Sequence, residues 1–179
     1  MAGTLTVQNL QGPSSGANAN KIIVPSGQTL HAAGHVVQVA HGTQAGNSNT
    51  STSTAWQDTG LSVSITPTSD TSKILVFAST IVGINSSPSL RARIDLRLTN
   101  SDVSEISFES RYQGTDDQST GNLAVISSPH GYFSPASTSA QTYKVQARPA
   151  NGSSNETDEM YLSWYTGGTQ TITAMEIAQ

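Results

Sequence analysis

The chain contains no cysteine, so neither a disulfide framework nor a thiolate metal site can be built from it, and the redox compartment is left unread. Charge is nearly as scarce: 11% of residues are Asp, Glu, Lys or Arg, with a net charge of −4 at pH 7 and a pI near 5.4. An acidic balance works against nonspecific nucleic-acid binding, which draws on surplus Lys and Arg to neutralise phosphates. No apolar run reaches the roughly 18 to 20 residues of a membrane helix. The first residues also lack the basic region followed by an apolar run that marks a signal peptide. The expectation is a soluble chain made in a cytoplasm, with neither nucleic acid nor membrane among its partners.

Catalytic signatures are missing as well. There is no GxSxG, no HExxH, no Walker loop and no GxGxxG, and Gly167-Gly168 reads as a hairpin turn, not a phosphate cradle. Four histidines leave few actors for metal chemistry. His35 and His41 share a strand face but stand roughly 20 Å apart at strand rise, and lone histidines are more often structural or exposed than ligating. Asp116-Asp117 and Asn155 to Glu159 lack the alternating oxygen spacing with a flexing Gly of a calcium loop, so they read as solvated acidic loops. A glycosidase would need a carboxylate pair from separate loops; only Trp56 and Trp164 are available to line an aromatic groove. The Asn-x-Ser/Thr matches at Asn49, Asn85, Asn151 and Asn155 follow from composition. No catalytic, cofactor-binding or metal residue is assigned, and no cofactor is expected.

What the chain does have is hydroxyls and alternation. Ser and Thr supply 49 of 179 residues, so solubility rests on hydroxyls where most proteins use charge. Leu61, Val63 and Ile65 alternate with Ser62, Ser64 and Thr66, the period-2 mark of a strand with one dry and one wet face. Pro67 to Ser72 is rich in turn formers, and Lys73 to Ile84 follows as a nearly continuous apolar run that reads as a strand buried on both faces. Further strands are expected at His35 to His41, Leu90 to Thr99, Glu105 to Tyr112, Leu123 to Ser127, Gln141 to Arg148, Glu159 to Thr166 and Thr171 to Ile177. That is the spacing of an antiparallel sandwich or barrel. Gly46 to Thr54, Gly114 to Gly121 and Ala150 to Thr157 read as surface loops, the first of them mobile.

Residues 1 to 34 differ from the rest. Leu5, Val7 and Leu10, then Ile22, Ile23 and Val24, are short apolar bursts separated by Gly- and Pro-rich breaks. Strands this short are marginal alone in water, so an attachment or intertwining arm is expected there, docked on sister chains or a shell protein. Parity then sorts the faces of the head. In Lys73 to Ile84, Ile74, Val76, Ala78 and Val82 face one way while Leu75, Phe77 and Ile81 face the other. In Glu159 to Thr166, Met160, Leu162 and Trp164 face the core, and Tyr161 and Tyr165 lie opposite. Leu75, Phe77, Ile81, Tyr161 and Tyr165 are therefore the candidate interface. In Leu90 to Leu98 the Arg91, Arg93, Asp95 and Arg97 row reads as a solvated face with Asp95 pairing its neighbours, with a grip on an acidic partner as the sharper alternative.

The phrases TLTVQNLQG, NKIIVPSGQTL, GHVVQV, DTGLSVSITPTSDTSKILV and ITAMEIA resemble small virion structural proteins of tailed phages that infect marine and cyanobacterial hosts. That resemblance implies a capsid-decoration or tail-fibre role and a trimeric jelly roll of the tumour-necrosis-factor-like kind. The expectation is an all-β antiparallel jelly roll or β-sandwich over residues 35–179, preceded by a β-arm over 1–34, assembled as a homotrimer on a virion surface. It is non-enzymatic, a capsid cement, decoration or head-fibre protein whose partners are itself and a major capsid or other virion protein. The alternative is a tail-fibre tip recognising a host surface glycan.

Overall fold

A computed structural model describes residues 8, 10–26, 32–46, 50–86, 92–100, 105–113, 121–149, 159–162 and 168–179. Contacts divide the chain into two compact units, Met1–Ala32 and Ala33–Gln179. The second is all-β and antiparallel; among the described residues it holds β1 (Val36–Ala45), β2 (Thr50–Ser51), β3 (Gln57–Ile65), β4 (Lys73–Ser86), β5 (Ala92–Thr99), β6 (Glu105–Gln113), β7 (Gly121–Ser127), β8 (His130–Phe133), β9 (Gln141–Pro149), β10 (Glu159–Tyr161) and β11 (Thr169–Ile177). All nine expected strands of the head are present. β8 and the two-residue β2, inside the stretch read as a loop, are additions. His130-Gly131-Tyr132-Phe133 carries too little β-branched character to stand out, and β2 exists only because Thr50 and Ser51 pair with Tyr161 and Met160.

One sheet runs β1-β11-β4-β10-β2 with β7 and β8 also paired to β4, and the other runs β3-β9-β5-β6. Chain-adjacent strands β3 and β4, and β4 and β5, thus lie in opposite sheets, the jelly-roll manner of wrapping one core. The 14-residue β4 organises the larger sheet. Its first half pairs with β11 and β8 and its second with β10 and β7. Period-2 alternation sends Leu61, Val63 and Ile65 of β3, Ile94, Leu96 and Leu98 of β5, and Ile74, Val76 and Val82 of β4 into the space between the sheets. At about 1.5 to 3 kcal/mol per buried aliphatic side chain, this layer is the main favourable term. Tyr143 is buried in it, edge to face with Phe133 at 5.6 Å. Burial pushes the Tyr143 phenol up, and its hydroxyl has no hydrogen-bond partner among the described residues.

The open edge of β3 is closed by side chains of β1. On the inward parity of β1, Gln38 and Gln44 flank the small Ala40 and Gly42. The Gln38 amide donates to the Thr66 carbonyl at 2.6 Å, and that of Gln44 to the Thr59 carbonyl at 2.7 Å. Between them a Cβ on Gly42 would sit 2.1 Å from the Ser62 carbonyl oxygen. Two edge strands are therefore stitched without a backbone ladder, which removes edges open to strand addition. Gly42→Ala is expected to lower stability by about 1–3 kcal/mol, since the overlap is with backbone that cannot rotate away; a urea midpoint equal to that of the parent would count against this close approach. Gly60, at φ +91, makes the register shift of β3 between Asp58 and Ser62.

The first unit is corrected in one respect: among residues 10–26 there is no strand. Asn20 donates to the Pro13 carbonyl at 2.8 Å, and the backbones of Gly12 and Lys21 touch, so the chain folds back on itself around Gly16 at φ +88. Gly12, Pro13 and Gly16 favour a closed turn over extension. Leu10, Ile22, Ile23 and Val24 remain exposed, at 40% or more. Leu5 and Val7 lie outside the described residues.

Candidate functional site

Two outer sheet faces carry what this molecule can offer a partner. The first is the outer face of the larger sheet. In register across β1, β11, β4 and β8 stand Val39, Met175, Leu75 and Tyr132, and beside them His41, Thr173, Phe77 and His130. Ile81 and Ile126 are paired across β4 and β7 and extend the surface. Phe77 is 42% exposed, Tyr132 57%, Val39 58% and Ile126 70%. This corrects the reading of Lys73 to Ile84 as buried on both faces: Ile74, Val76, Ala78 and Val82 are enclosed, whereas Leu75 and Ile81 are half-buried and Phe77 is open. The second layer that would cover them is not supplied by the described part of the chain. Lys73, hydrogen-bonded to Ser134, is the one residue of fixed charge among the described positions of this face in β1, β4, β7, β8 and β11, and β10 adds Glu159 at the register position of Asn85. Contiguous apolar surface of this kind is what interfaces are built from.

Of the five interface candidates, Leu75, Phe77 and Ile81 are thus brought onto one face. Tyr161 holds the register position of Gly83, the next outward position of β4 after Ile81, and pairs on its other side with Thr50, while Tyr165 lies outside the described residues. Val39, Ile126, Tyr132 and Met175 were missed, because their membership depends on cross-strand register, and β8 was not foreseen.

The second face is the outer side of β3, β9 and β5, and it is polar. Trp56, one residue ahead of β3, lies beside two guanidinium groups, with the Arg97 Cζ 4.4 Å and the Arg148 Cζ 4.5 Å from its ring centroid, within the range of a cation–π contact. The Arg97 Nε donates to Gln146 Oε1 at 2.8 Å, and the Arg148 Nε to Asp95 Oδ2 at 3.2 Å. Asp58 accepts from Gln146 Nε2 and, at 2.9 Å, from Lys144 Nζ. Burial alone would raise the Asp58 carboxyl, but those two hydrogen bonds, with the Lys144 and Arg97 charges, hold it below the usual carboxylate range. This corrects the solvated reading at Asp95, whose partner comes from β9 and not from its own row. Asp95 is fully buried and ion-paired, because β9 places Arg148 opposite it in register. Arg91 lies outside the described residues. Arg148 and Trp56 were missed, although Lys144, Gln146 and Arg148 alternate with Tyr143, Val145 and Ala147 and could have been paired with the β5 row.

Among the described residues no group of three His, Asp or Glu is placed to hold a metal ion. Asp116-Asp117 and Asn155 to Asp158 lie outside them. No protein-family model matches this chain, and no curated protein matches it either.

Proposed function

We propose that this protein is a non-enzymatic structural component of a phage virion, a capsid cement or decoration protein. It assembles as a homotrimer through the outer face of its larger sheet and attaches by its N-terminal residues 1–34. The open apolar row centred on Leu75 and Phe77 carries this reading, because a surface so poor in fixed charge meets a second copy of itself without repulsion. The exposed Leu10, Ile22, Ile23 and Val24 of the first unit give the anchor something to bury. The phage-like phrases of the sequence supply the setting. Labelling the protein on purified intact particles tests the reading. A copy number in the hundreds is the expected result; a handful at one vertex would move the protein to the tail, and none would end the proposal.

A further inference from the structure

We infer that the outer face of the smaller sheet, around Trp56, Arg97 and Arg148, binds an oxyanion, namely a sulfate or carboxylate group carried on an acidic glycan. This goes beyond the assembly reading and does not rest on it, since it uses the opposite sheet. The hydrogen bonds that Arg97 and Arg148 make among the described residues leave from Nε. The forked Nη side of each guanidinium, the part that grips a planar or tetrahedral oxyanion in two-point fashion, is not spent on them. Both guanidiniums are pre-positioned. Trp56 contacts both at cation–π distance, Gln146 holds one and the fully buried Asp95 holds the other. The Arg148 side chain is nonetheless 35% exposed, so a ligand can reach it.

The local charge agrees. Arg97, Arg148 and Lys144 outnumber Asp58 and Asp95, and Asp58 is already engaged by Lys144 and Gln146. A local surplus of cations suits an anionic substituent on a hydroxylated polymer. The sheet continues into the hydroxyls of Ser64 and Thr142, hydrogen-bonded to each other at 2.8 Å, the kind of donor and acceptor that sugar hydroxyls pair with.

The test uses the full chain in low-salt buffer, titrated calorimetrically with dextran sulfate, sodium alginate, neutral dextran and poly-glutamate. Binding of dextran sulfate, alginate or both, with neutral dextran silent, is expected; which of the two binds tells sulfate from carboxylate recognition. The double variant Arg97→Gln/Arg148→Gln should lose at least tenfold in affinity, while Lys73→Gln on the opposite sheet should bind as the parent does. Should the double variant fail to fold, the Trp56 indole N–H resonance of the unmodified protein gives the answer, since it must shift on titration with the bound polymer. No binding to either anionic polysaccharide, equal binding of neutral dextran, tighter binding of poly-glutamate, a folded double variant of undiminished affinity, or an unmoved Trp56 resonance would each overturn the inference.

Discussion

Replacing Glu176 by Ala should cost about 3–5 kcal/mol of folding stability, a large share of the roughly 5–15 kcal/mol that a domain has. Glu176 sits at an inward position of β11, fully buried, and its carboxylate is met by four donors. Oε1 accepts from the Thr68 backbone N at 2.8 Å, the Thr68 hydroxyl at 2.8 Å and the Ser72 hydroxyl at 2.6 Å, while Oε2 accepts from the Gln38 amide at 2.6 Å. Burial pushes the carboxyl up, but the bonds from Ser72, Gln38 and Thr68 outweigh it and hold the group below its ordinary value. Removing the side chain strands the buried Ser72 hydroxyl, takes the partner from Gln38 and Thr68, and frees the β3–β4 connection from the closing corner of the sandwich. Glu176→Gln should cost less, since an amide oxygen can still serve the three donors on one side.

The same clasp sets an acid limit. The Glu176 pKa is lower in the folded chain than in the unfolded one, where a glutamate titrates near 4.3. The unfolded chain therefore takes up the proton first. The stabilisation is complete above about pH 4.3 and is lost as pH falls through the folded value. Urea midpoints measured from pH 7 to pH 3 should fall steeply for the parent and much less for Glu176→Gln. Parallel curves for the two proteins would show that the carboxylate is not what holds this corner.

Phe77→Asp should convert the proposed trimer into a folded monomer, weakening association by at least a hundredfold. Phe77 lies in the middle of the open row, in register with Thr173 and His130 and next to Leu75 along the face. In an assembly of three copies an aspartate there would be stripped of water without a cation opposite it, and a desolvated, unpaired carboxylate costs several kcal/mol. In the separated chain the same aspartate points into solvent, so folding is spared. Light scattering at micromolar concentration should give three times the 18.7 kDa chain mass for the parent and the single-chain mass for the variant. Ser64→Asp, at an exposed position on the other sheet, should leave the mass unchanged. A parent that is a monodisperse monomer would sink the trimer for the isolated protein, and a trimeric Phe77→Asp variant would move the interface elsewhere.

Alternation and turn chemistry make most of the head readable in the sequence. The runs at Leu61 to Thr66 and Lys73 to Ile84 declare their strands and inner faces, since side-chain parity is a local property of an extended chain. The same logic picked Leu75, Phe77 and Ile81 as a set. It overreached for the first unit, where apolar bursts suggested strands and the glycines and proline around them close a turn instead. Other features lay beyond one-dimensional reading because they depend on which strand lies beside which. Glu176 looks misplaced among Ile172, Ala174 and Ala178 until Gln38, Thr68 and Ser72 arrive from segments more than 100 residues away in sequence. Asp95 reads as a surface acid until β9 sets Arg148 opposite it, and Trp56 reads as an isolated aromatic until Arg97 and Arg148 reach its ring. Outside β2 and β8, strand identity and inward parity are thus determined by the sequence alone, through the backbone's two-residue repeat. Register, and with it the pairing of buried charges and the continuity of the outer faces, is decided only when both sheets close on a common core.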